Sequence, residues 1–73
     1  MLEAIGKELQ VVRIRKGLDA KTVAEKLDCH VETLKRWEKN PKGLSIEKLE
    51  ELLDFYNEDK VSFFTNVSAN MHK

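Results

Sequence analysis

The segment DCHVETLKRWEKN, residues 28–40, gathers much of the side-chain chemistry of this 73-residue chain. It carries the single cysteine, Cys29, next to His30, then Glu32, Lys35, Arg36, Trp37, Glu38 and Lys39. Cys29 and His30 do not make a zinc site. The only other histidine is His72, and the carboxylates show no ligand spacing. Nor do they make a nucleophile and base, because neighbours at a helix start cannot face each other, and the chain has no glycine-rich phosphate loop. Trp37 could stack on a nucleobase, but its spacing from Leu34 turns it toward the interior. What remains is a short run of acid and bases that suits reading a polar partner, either the base edges of DNA or the surface of another protein.

Those residues need elements to hold them. Leu2, Ile5, Leu9 and Val12 recur at steps of three and four, which predicts a first helix from about residue 2 to 16, closed by Gly17 in a left-handed conformation. Asp19 is the next N-cap, and Val23, Ala24 and Leu27 share one side of a two-turn second helix that stops near Asp28. Asp tolerates the left-handed geometry of the tight turn that follows, and a third helix is expected over about 31–39. Asn40, Pro41, Lys42 and Gly43 break the chain. Ser45 then caps a fourth helix with Ile46, Leu49, Leu52, Leu53 and Tyr56 on its apolar stripe. Asn57 closes that helix, and Asp59 caps a short fifth one holding Val61, Phe63 and Phe64. Alternation of Val61, Phe63, Thr65 and Val67 also fits a strand, the less favoured reading. The expected division is a domain over residues 1–66 and a frayed, polar tail over 67–73.

The composition narrows the class of function. A chain this short buries a limited core, which disfavours an enzyme with a deep substrate cleft, so neither a small-molecule substrate nor a cofactor is expected. One cysteine excludes an internal disulfide and fits a reducing, cytoplasmic setting. The start MLEAIGKELQ lacks the basic and continuous apolar regions of a signal peptide, and no apolar run approaches the ~20 residues that span a bilayer. Net charge is zero, yet residues 1–43 hold ten Lys/Arg against seven Asp/Glu, and residues 44–73 hold three against six. A basic front and an acidic back let one face approach phosphates.

Two short helices joined by so brief a turn are the mark of a helix-turn-helix, whose second helix enters the major groove of DNA. The segments IGKELQVVRIRKGL, VAEKL, LKRWEKN and SIEKLEELLDFYN resemble the Cro/C1-type, or XRE-family, DNA-binding domain of bacterial and phage regulators. The resemblance spans residues 5–64 and implies an all-α fold, a compact five-helix bundle like that of lambda repressor. The core expected from the pattern is Ile5, Leu9, Val12, Leu18, Val23, Ala24, Leu27, Leu34, Leu49, Leu52 and Phe64.

The same resemblance implies roles for particular residues. Arg13 and Glu38 match an ion pair that ties the first helix to the third. Val31, Glu32, Lys35 and Arg36 match the base-reading positions: Arg36 suits guanine O6 and N7, Glu32 the cytosine amine, and Val31 a thymine methyl. Lys21, His30, Thr33, Lys39 and Lys42 match positions that contact phosphates and set register. There are departures as well. Ala20 stands where the family often has a glutamine that contacts phosphate, and His30 stands where a small hydroxyl usually caps the third helix. Glu32 lies where phosphates would repel it unless a cytosine amine compensates. Equally, an acid in a helix's first turn suits the macrodipole by about 0.3–1 kcal/mol without any ligand.

The partner implied is a double-stranded DNA operator, bound by a homodimer on two half-sites about 34–36 Å apart or a multiple of that. The segment FYNEDKVSFF offers Phe55, Tyr56, Val61 and Phe63 as a dimer surface, though Phe55 and Phe63 suit the core as well. Such a protein is a repressor or Cro-like regulator that stays with the nucleoid. The alternative partner is a second repressor protein, bound by an antirepressor that has given up DNA; zero net charge, Ala20 and Glu32 favour it.

Overall fold

The computed structural model describes residues 1–71, and these form α1 (Leu2–Arg15), α2 (Ala20–Lys26), α3 (Val31–Lys39), a 3-10 turn (Pro41–Gly43), α4 (Ile46–Phe55) and α5 (Lys60–Met71). No strand occurs among them. The boundaries follow local chemistry. Asp19 Oδ1 accepts from the Thr22 amide at 2.7 Å, Ser45 Oγ from the Lys48 amide at 3.1 Å, and Asp59 Oδ2 from the Ser62 amide at 2.9 Å. Each side chain thereby satisfies one of the amides that a helix start leaves without a backbone acceptor. His30, at the start of α3, makes no such bond.

Three helices end on left-handed residues: Gly17 (φ 73°) after α1, Asp28 (φ 55°) after α2, and Asn57 (φ 54°) after α4. At each, the next amide reaches back to a carbonyl five residues earlier: Leu18 to Arg13 at 3.1 Å, Cys29 to Ala24 at 3.0 Å, and Glu58 to Leu53 at 2.9 Å. That bond satisfies a carbonyl the helix end would otherwise leave open, which offsets the left-handed cost at Asp28 and Asn57.

Around this frame α1 packs on α3 and α5, and α2 packs on α3. Leu9, Val12, Val23, Leu34, Leu52, Leu53, Tyr56 and Phe63 are fully buried between them. Ile5 and Leu18 pack at the edge of the core, and Trp37 lies within it.

The C-terminal third departs from expectation. Residues expected to fray from 67 continue α5 to Met71, and Val67 is buried; residues 72–73 of that expected tail lie outside the described residues. Phe63 and Val67 are four apart, so one helical face reaches the core, and the period-two alternation over 61–67 is coincidental. The same geometry reverses the two phenylalanines. Phe63 is fully buried, while Phe64, expected in the core, is 42% exposed. Of the expected dimer surface, Tyr56 and Phe63 are core, Phe55 is half-buried, and Val61 alone is open at 74%. The α5 amides add a second hold on α1: Nδ2 of Asn66 and of Asn70 donate to the buried Glu8 carboxylate at 3.3 and 3.4 Å.

Candidate nucleic-acid interface

The helix that would read DNA is tied down on its inner side. Arg13 on α1 donates through Nε and Nη2 to the two Glu38 oxygens at 2.6 and 3.1 Å, and through Nη1 to the Leu18 carbonyl at 2.9 Å. Both side chains are buried, so the pair is shielded from solvent. Donating hydrogen bonds to Glu38 raises the Arg13 pKa against the opposing effect of burial, and the guanidinium stays charged. Tyr56 lies close enough to feel both charges. Burial pushes its phenol well above the ordinary range, and among the described residues its hydroxyl has no hydrogen-bond partner.

Gly6 brings α1 against α3. A Cβ placed there would stand 2.6 Å from the Glu38 carbonyl oxygen and 2.8 Å from that of Trp37, so only glycine permits this approach. The position carried no sign of its role in the sequence, because a glycine inside an amphipathic stripe reads only as a weak helix former.

With α3 fixed from behind, its other side faces outward. Glu32, Lys35, Arg36 and Lys39 are exposed and line one shallow depression of about 400 Å³. Three cations and one anion thus share an open face, and the structure brings together three of the four residues matched to base reading. The fourth, Val31, is half-buried and packs against the core, leaving only part of its surface for a methyl contact. Of the residues matched to phosphate contact, Lys21, His30, Lys39 and Lys42 are exposed and Thr33 is half-buried; only Lys39 lines the depression. Ala20 is buried and brings no polar group to the start of α2.

Lys35 and Lys39 also border a second recess of about 300 Å³ between α1 and α3, which Gln10, Arg13 and Glu38 complete. Cys29 is a half-buried free thiol whose pKa burial raises, the opposite of an activated nucleophile. Among the described residues no group of three or more His, Cys, Asp or Glu is placed to hold a metal ion, and no helix is long and apolar enough to cross a membrane.

A short second helix, a left-handed turn at Asp28, and a braced third helix with its cationic side free define a helix-turn-helix protein. The helix-turn-helix family model matches residues 9–62, and the chain belongs to that family, in its XRE branch. It is a DNA-binding transcription regulator. No curated protein sequence matches it. Among solved structures it is similar to a point mutant of the restriction-modification controller protein C.Esp1396I, with 22% identity, a TM-score of 0.89, and coverage of 99% of this chain and 96% of that one.

Proposed function

We propose that the protein is a repressor of the Cro type that binds operator DNA as a homodimer, with α3 in the major groove. The observation that carries this reading is the outward set of Lys35, Arg36 and Lys39 on a helix whose opposite side is locked by Arg13 and Glu38. Arg36 has the paired donors that guanine O6 and N7 accept, Glu32 the acceptor that a cytosine amine requires, and Val31 a remaining apolar edge for thymine. Lys21, His30, Thr33, Lys39 and Lys42 set register on the phosphates.

One such domain contacts few base pairs, so a second copy is needed for useful affinity. The surface we assign to it is the outer face of α5, where Val61, Phe64, Thr65 and Ser68 line an open groove with Lys60. Selection of bound fragments from a random duplex pool at low and moderate salt tests the whole reading. Enrichment of a two-fold symmetric site supports it, and no enrichment at either salt, from a protein shown to be dimeric, rejects it.

Glu32 supports a second reading. An exposed acid amid the three cations of α3, with Ala20 at the start of α2, fits a protein that occupies another repressor's DNA-binding face. Such a complex would resist salt, whereas DNA binding through about six phosphates would weaken steeply with it. The genes beside this one separate the settings: a divergently transcribed repressor, or restriction and modification genes.

A further inference from the structure

We propose that the recess between α1 and α3 seats one backbone phosphate of the bound DNA, with Gln10 as its neutral donor and Lys35 and Lys39 as its charged walls. The inference rests on the reading of α3 as the major-groove helix. A helix with its side chains is about 10–12 Å across and the major groove about 12 Å wide, so the sugar-phosphate walls of the groove pass close along the flanks of the inserted helix. One flank of α3 is occupied by α1, and the recess lies at that junction.

Its electrostatics favour an anion. Lys35 and Lys39 are four apart, so they stand one above the other on α3. Both border the recess and the outward depression alike, so the recess opens onto the face that meets DNA. Glu38 lies in the wall, but both its oxygens already accept from Arg13 and its charge is cancelled in place. The two lysines therefore set the sign of the local field. Gln10 is exposed on α1 and adds an amide that donates to a phosphate oxygen without opposing that field.

Lys35 changes role as a result. Held toward the recess, it contacts backbone and carries no sequence information, which leaves base reading to Arg36, Glu32 and Val31.

The test uses the full chain and the duplex recovered by selection, with a scrambled duplex beside it, in anisotropy titrations across a salt series. Gln10→Glu places a carboxylate in the recess and is expected to lower affinity about tenfold for both duplexes. Gln10→Lys is expected to raise affinity and steepen the slope of log affinity on log salt by about one. Lys35→Ala is expected to reduce that slope by about one while reselection returns the same site. Melting temperatures should stay at the wild-type value, since both side chains are exposed. Gln10 variants within twofold of wild type, or a Lys35→Ala protein whose reselected site is relaxed at one base pair, overturn the seat while leaving DNA binding intact. A wild-type protein that binds neither duplex overturns the DNA reading and the seat together.

Discussion

Arg13 and Glu38 show how much depends on two side chains. Their charges are taken out of water and satisfied by each other and by the Leu18 carbonyl. Removing one partner strands the other, a loss that costs about 3–5 kcal/mol in buried pairs. Arg13→Ala is therefore expected to unfold at much lower urea; a change within a few tenths of a kcal/mol would mean that the pair behaves like a solvated one. Tyr56 predicts the opposite sign. Its buried hydroxyl has no partner among the described residues, and a buried polar group left unpaired costs about 1–3 kcal/mol. Tyr56→Phe should be neutral or more stable. The phenol's raised pKa has its own consequence. Above the ordinary tyrosine value of about 10 the unfolded chain loses the proton and the folded one keeps it, so stability is complete below that pH and falls as pH rises toward the folded value. Alkaline melts should show this decline in the wild type and a smaller one in Tyr56→Phe.

At the scale of elements the decisive contact is backbone on backbone, where α1 passes the end of α3 at Gly6. The opposing atoms are main-chain carbonyls, which cannot swing aside as a flexible side chain does. Gly6→Ala must separate the two helices, at a cost of about 1–3 kcal/mol for overpacking, and should weaken DNA binding more than its melting temperature alone suggests, because α3 is tilted on its support. Titration of the variant well below its melting point checks this. The two phenylalanines of α5 provide a paired comparison. Phe63→Ala empties a fully buried site and is expected to cost about 3–5 kcal/mol. Phe64→Asp should leave the fold near wild-type stability and yield monomers in sedimentation equilibrium. Dimers that persist in Phe64→Asp would move the assembly surface elsewhere.

For the whole molecule, charge is arranged so that a neutral chain still presents a cationic side. Glu47, Glu50, Glu51 and Asp54 lie on α4, whereas Lys35, Arg36 and Lys39 lie on α3. Net charge alone is therefore a poor guide to this partner. Within the proposed dimer, Arg36→Ala should cost about 1–3 kcal/mol on the selected site and little on others, while Lys39→Ala should weaken all duplexes and lower the salt slope by about one. A silent Arg36 would remove the base-reading assignment.

What the sequence determined by itself was everything that rests on neighbours in the chain. Asp19, Ser45 and Asp59 cap helices because their oxygens reach amides three residues on, and Gly17, Asp28 and Asn57 end them because these residues accept a left-handed backbone. Regular apolar spacing placed α1 to α4, and the likeness of LKRWEKN to a known domain pointed to Arg13 and Glu38, a pair separated by 25 positions that spacing could not have found. Only the tertiary structure decided the rest. The phase and length of α5 come from Val67 meeting the core and from Asn66 and Asn70 meeting Glu8 across the molecule, so a weakly amphipathic segment reads as a fraying end until its partner is in place. Gly6 and the recess at Gln10 likewise exist only between α1 and α3, since a distance between two helices is a property of their packing and belongs to neither.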